Sequence, residues 1–155
     1  MFRFYSYSRR MDRLLFLFAA VLLQPCPAAL AEPLPGPVPA VVDRIVDGDT
    51  IAVRARIWPG QEVRVLVRVR GIDAPERRGR CEGERGLAAR AAAAMATALA
   101  DGGVTLLRVE PDKYGGRVIA DVRLGDGGDL ASLLLAMRAV RPYHGGVRTS
   151  WCAPG

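Results

Sequence analysis

From Val41 onward, apolar side chains recur at every second position, the period of a strand with one face buried. "VVDRIVDGDTIAVRARIW" reads as two strands, 41–46 and 50–58, joined by an Asp-Gly turn at Asp47–Gly48. Pro59–Gly60 makes the next turn, and "QEVRVLVRVRG" forms a third strand. In that strand Val63, Val65, Val67 and Val69 share the core face. Arg64, Leu66, Arg68 and Arg70 point the other way. The period then changes. "EGERGLAARAAAAMATALADGG" is alanine-rich and predicts a helix over about 84–100, stopped by Gly102–Gly103. Strands follow at 104–109 and 117–124, with "PDKYGG" as the turn between them. "DLASLLLAMRAV" (129–140) is a second helix that opens on Asp129 as N-cap. The tail "RPYHGGVRTSWCAPG" carries no regular pattern. Three strands, a helix, two strands and a helix predict an α+β domain: a five-stranded Greek-key OB-fold β-barrel with two, at most three, helices.

The segment before Val41 has a different character. Residues 1–13 hold four arginines and one aspartate, then comes "LLFLFAAVLL", then a small-residue A-x-A site at Ala29–Ala31. That order predicts a signal peptide over 1–31, cleaved before Glu32, with the ten-residue apolar run too short to span a bilayer. A retained N-terminal anchor is the alternative. "EPLPGPVPA" (32–40) has four prolines in nine positions and reads as an extended linker with no means of packing, so the folded domain is expected over 41–155. Without the leader, 18 basic and 15 acidic side chains remain, and the formal net charge falls from +6 to +3. A balance that mild names no partner, so the placement of the arginines has to carry any argument about one. Cys26 leaves with the leader. Cys81 and Cys152, an even pair in a chain exported to the periplasm or the medium, are expected to form a disulfide worth about 4 kcal/mol by loop-closure entropy.

Two short stretches could supply chemistry. "DGDT" places Asp47, Asp49 and Thr50 at a tight turn, and "DAPE" places Asp73 and Glu76 just past the third strand. Either alone is ordinary turn chemistry. If the two strands are neighbours, however, several carboxylates converge, and crowded carboxylates need a counter-charge. A hard divalent cation, Ca²⁺ or Mg²⁺, suits oxygen ligands, whereas His144 is the only histidine and no cysteine-histidine set exists for zinc. Arg68, five residues before Asp73, approaches the same end of the sheet, and its planar fork of donors suits a phosphate. Arg64 and Arg70 are read as solvated charges.

"IVDGDTIAV", "VRVRGIDAPE" and "DKYGGRVIADV", in that order, resemble the thermonuclease family, the calcium-dependent secreted nucleases of the staphylococcal (micrococcal) type. The resemblance runs from about Val41 to Cys152. It implies a staphylococcal nuclease-like barrel in which Asp49 and Asp73 ligate Ca²⁺ through their side chains and Ala74 through its carbonyl. Glu76 activates or positions the attacking water. Arg68 and Arg117 grip the scissile phosphate, and Lys113 and Tyr114 contact a neighbouring one. "KYGGR" carries one more glycine than the family's turn; keeping "RVIADV" in phase makes Arg117 the second clamp and Gly116 the insertion. The family's further C-terminal helix is missing after Tyr143, and the Cys81–Cys152 bridge is expected to hold the tail in its place. The resemblance implies hydrolysis of DNA or RNA, single-stranded or frayed, at the 5′ P–O bond to leave 3′-phosphates. The rival expectation is a non-catalytic barrel that binds single strands by stacking bases on Tyr114 and Tyr143. Neither reading calls for more than a monomer.

Overall fold

The computed structural model describes residues 32–152; the expected signal peptide at 1–31 lies outside the described residues. Among the described residues, seven strands and two helices follow one another: β1 (Val38–Asp47), β2 (Thr50–Trp58), β3 (Gln61–Val69), β4 (Ile72–Asp73), α1 (Glu82–Ala98), β5 (Gly103–Pro111), β6 (Arg117–Leu124), α2 (Leu130–Ala136) and β7 (Arg141–Pro142). Five strands close a barrel in the order β1-β2-β3-β6-β5, with β5 pairing back onto β1. All pairs are antiparallel except β3 with β6. A closed five-stranded barrel with two helices is compatible with an OB-like α+β fold.

The alternation in the sequence sets the barrel interior. Ile51, Val53 and Ala55 of β2, Val67 and Val69 of β3, Val104 and Leu106 of β5, and Ala120 and Val122 of β6 are all buried. Burial along β3 is graded. Val63 near the hairpin end is exposed, and the strand becomes fully buried only over its last three residues, 67–69. The helices close the core with Met95 and Leu99, and with Leu130 and Leu134. α1 buries Glu84, Ala88, Ala91 and Met95, a stripe at helical spacing, and Cys81 caps its N-terminus. Asp129 caps α2 as expected, accepting from the Ser132 amide at 2.8 Å. That helix ends at Ala136 rather than near 140, and Arg138, just beyond it, takes a φ of 54°.

The proline-rich segment does pack, contrary to the linker expectation. β1 starts at Val38, with Val38 and Ala40 facing in and Pro39 facing out, and Leu34 exchanges two backbone hydrogen bonds with Val109. Alternate prolines leave the intervening N–H groups and every carbonyl free, which is enough to pair along an edge. Arg70 also departs from its solvated reading, since it reaches Glu110, the Arg108 carbonyl and Asp121.

Two features fix the end of the barrel that carries the β1–β2 turn. The Gly48–Asp49 turn is pinned to the end of β3 by the Val69 amide, which donates to the Asp49 carbonyl at 2.9 Å. Gly48 itself is pressed against α1 and the segment after β4, so that an added Cβ would lie 2.6 Å from the Ala91 Cβ and 2.9 Å from the Ala74 Cβ. The other clamp is covalent: Cys81 and Cys152 are disulfide-bonded, tying the start of α1 to the tail. We expect Gly48→Ala to destabilise the domain by about 1–3 kcal/mol, the usual scale for an overpacked methyl. Urea unfolding measures this, and an unchanged midpoint would contradict the close packing.

Candidate functional site

Asp49 stands at the tip of the β1–β2 turn, and Asp73 ends β4, directly opposite Arg141 of β7. Both are nearly removed from solvent, Asp73 at 1% exposure and Asp49 at 5%. The sequence places an arginine within reach because Thr50 and Arg68 are cross-strand partners. Arg68 Nη1 lies 2.5 Å from Asp49 Oδ2, and Arg68 Nη2 donates to the Ile72 carbonyl. With side chains only 10% and 7% exposed, this is a buried ion pair. Asp49 Oδ1 accepts from the Thr50 hydroxyl, and its Oδ2 also receives the Ala74 amide at 3.3 Å.

Asp73 collects more positive charge than any single partner supplies. Its Oδ2 accepts from Arg141 Nη2 at 2.8 Å, Arg141 Nε at 3.0 Å and Trp151 Nε1 at 3.0 Å. Its Oδ1 is buried without an aligned hydrogen bond, although Arg148 Nε lies 2.9 Å away. Arg148 also contacts Glu76 Oε1, and its Nη2 lies 3.8 Å from Asp49 Oδ2. One guanidinium therefore joins three of the four carboxylates named from the sequence, Asp49, Asp73 and Glu76. Burial alone would lower the Arg148 pKa, but Asp73, Glu76 and Asp49 outweigh it and hold the value above the ordinary one. Asp47, on the other side of Gly48, shows the opposite effect. Burial, then repulsion from Glu76 and Asp49, pushes its carboxyl up, with Arg77 opposing.

The remaining sequence-named residues line one open groove of about 710 Å³: Arg68, Glu76, Lys113, Tyr114, Arg117 and Tyr143. Arg117 opens β6 beside Leu66 of β3, in phase with the apolar strand after it. Gly116, with a φ of 76° and open space around it, absorbs the extra residue of the turn. The Arg117 Nε binds Asp112, and its guanidinium lies 4.7 Å from the Tyr114 ring centroid, with Lys113 at 5.1 Å from the same ring. Arg68 lies over Tyr143 at 5.8 Å, and the Tyr143 hydroxyl donates to the Gly146 carbonyl. Exposed Tyr114 leaves an aromatic face toward the groove mouth.

Sequence reasoning missed Arg141, Arg148 and Trp151, all in the tail read as irregular. The signal that would have found them is the expected disulfide. Cys152 bonded to Cys81 brings the residues just before it beside "DAPE", which lies just before Cys81. It also missed Glu84, which is buried and accepts from the Arg80 amide at 3.0 Å and the Glu76 amide at 3.4 Å. Glu84 thereby anchors the loop that carries Glu76.

For a cation, the donor set is carboxylate oxygens, of which a buried Asp73 Oδ1 lacks an aligned partner. That chemistry suits a hard divalent ion, although the Asp49, Asp73 and Glu76 oxygens do not all lie within 4.8 Å of one another in this arrangement. Among the described residues, the one group of three acids, cysteines or histidines with ligand atoms within 4.8 Å of one another is Cys81, Glu84 and Cys152. Its two cysteines are already bonded to each other, so it is no metal site. No known family model matches the chain, and no curated protein matches it.

Because Asp49 holds Arg68, its loss should be felt by the fold as well as by any ligand. We expect Asp49→Asn to cost about 3–5 kcal/mol in metal-free buffer, the scale for leaving one partner of a buried pair alone. Denaturant unfolding with chelator present checks this, and a loss below about 1 kcal/mol, the scale of an exposed pair, would contradict it.

Proposed function

We propose that this chain is an exported, calcium-dependent nuclease built on the Greek-key barrel of the staphylococcal type, hydrolysing phosphodiester bonds of DNA or RNA. The observation that carries this reading is convergence. Two arginines from different strands, a carboxylate and two tyrosines line one groove, and the buried Asp49 and Asp73 adjoin it through Arg68 and Arg148. A pure binder of nucleic acid has no use for three carboxylates next to a backbone it must attract.

Asp49 and Asp73, with the Ala74 carbonyl, would hold the ion. Bound there, calcium supplies Lewis-acid charge to a phosphoryl oxygen. The chain itself does the rest. A phosphodiester is already anionic, and its transition state gathers more charge on the phosphoryl oxygens, so cations fixed in advance favour it. Arg117 uses Nε on Asp112, which leaves both Nη groups for phosphate. Arg68 uses one hydrogen each on Asp49 and the Ile72 carbonyl, so it is held rigidly while further N–H groups remain for the same phosphate. Glu76, about half exposed at the groove, orients a water and takes its proton. Lys113 and Tyr114 line the same groove and would contact an adjoining phosphate and base, with Tyr143 as a second stacking face. Attack that expels the 5′ oxygen leaves a 3′-phosphate. Unpaired strands suit an open groove of this kind better than a duplex. Export accords with the Cys81–Cys152 bridge, since such bonds persist in oxidising compartments.

One observation favours the rival, a non-catalytic single-strand binder. Arg148 already neutralises the carboxylates, so the cluster does not need an ion for its charge balance. Digestion of denatured DNA separates the two readings. We expect cleavage with calcium, none with chelator, and a loss of about two to four decades in kcat for Arg117→Ala, the scale of a lost transition-state charge partner. Binding without cleavage under both conditions would leave the rival standing, and cleavage that ignores chelator would remove calcium from the scheme.

A further inference from the structure

Arg148, whose guanidinium reaches Asp49, Asp73 and Glu76, has no part in the hydrolysis proposed for the site. It belongs to a strap, residues 144–152, with a distinct build. Gly145 and Gly146 both take positive φ, 98° and 90°, where only glycine is at ease. Val147 next to them is 96% exposed and anchors nothing. From there the fastenings accumulate. The Thr149 and Ser150 carbonyls accept from Arg141, Trp151 donates to Asp73, and Cys152 is bonded to Cys81. The strap therefore carries two glycines at one end and most of its fastenings at the other, and Arg148 sits between them.

Arg148 is held by carboxylates alone. Its side chain remains 39% exposed, its one hydrogen bond runs from Nη1 to the half-exposed Glu76, and the 2.9 Å approach to Asp73 Oδ1 is not aligned as a hydrogen bond. Arg68 and Arg141, by contrast, also donate to backbone carbonyls. A guanidinium whose partners are all carboxylates gives way to a stronger charge at them. It also stands at a junction. The 710 Å³ groove and a second groove of about 480 Å³, lined by Arg78, Arg80 and Trp151 among others, meet at Glu76 and Arg148.

We propose that Arg148 is a tethered counter-cation: it neutralises Asp49, Asp73 and Glu76 when no divalent ion is bound, and calcium binds only by displacing it. This rests on the calcium reading of the same carboxylates. Displacement does two further things. It releases Glu76 from its ion pair so that the carboxylate can face a water, and it joins the two grooves into one path for a strand. The Cys81–Cys152 bond keeps Arg148 near enough to return when the ion leaves, as any short tether does. Competition of this kind weakens apparent affinity by the fraction of molecules with the strap open. If one molecule in ten is open, the apparent Kd is about tenfold above the intrinsic one.

Calcium calorimetry on the wild type and on Arg148→Gln tests the competition. We expect the variant to bind calcium about tenfold more tightly or better. Equal affinity in the two proteins overturns the strap and leaves the calcium site intact. Absence of binding heat in both overturns the calcium reading, and the competition falls with it. Nitrogen-15 NMR of the arginine side chains on the unaltered protein provides a check that needs no variant to fold. Saturating calcium should shift the Arg148 Nε–H resonance, which lies beside Asp73 in this structure, and an unmoved Arg148 resonance, with calcium heat present, refutes displacement.

Discussion

A carboxylate removed from water must be matched by positive charge, and Asp73, at 1% exposure, sets that demand for the whole site. Asp49 adds to that demand, and three elements answer the two carboxylates. Arg68 comes from β3, Arg141 from β7 and Arg148 from the strap, and each would be unremarkable alone. Their joint effect is to fasten the barrel end, the short β4–β7 sheet and the tail into one charged junction. Removing charge from either side leaves the other buried without a partner, so the stability of this region and its chemistry are not separable. That is why Asp49, named from the sequence as a ligand, also acts as a structural anchor for Arg68.

The barrel serves this junction by geometry. The parallel pairing of β3 with β6 brings Arg68 opposite Ile119 and Arg117 opposite Leu66, so two guanidinium groups from distant sequence face one groove. The β1–β2 turn reaches the same place because Gly48 has no side chain to hold it away from Ala91 and Ala74. α1 contributes small alanines on its buried stripe, which permit that approach, and its cap residue is also half of the disulfide. Packing, cap and covalent bond thus converge on one end of the domain, the end where Arg68 and Arg117 line the open groove.

Much of this was legible in the sequence, for physical reasons that differ by element. β6 was expected over 117–124 and occupies Arg117–Leu124, because its apolar period is strong and glycines mark its start. The Asp129 cap and the Cys81–Cys152 bond were readable because each rests on a local or compositional rule with few competitors. α2 was expected too long, since apolar spacing continues through Val140 while the backbone turns out of the helix at Arg138. The proline-rich segment was expected not to pack, because composition does not reveal that β5 offers an edge to it. Arg148 was invisible for a stronger reason. Nothing in "HGGVRTSWC" has a period, and its partners lie 72 to 99 positions away, so only the fold brings them together.

Asp49, Asp73 and Glu76 share the positive charge of Arg148 in this structure, and we propose that a divalent ion can supply that charge instead. A crystal structure at saturating calcium, with anomalous scattering to locate the ion, tests it most directly. The account predicts a calcium peak between the Asp49 and Asp73 carboxylates, with the guanidinium of Arg148 moved off Asp73. Density that leaves Arg148 on the carboxylates, with no ion beside them, would contradict it.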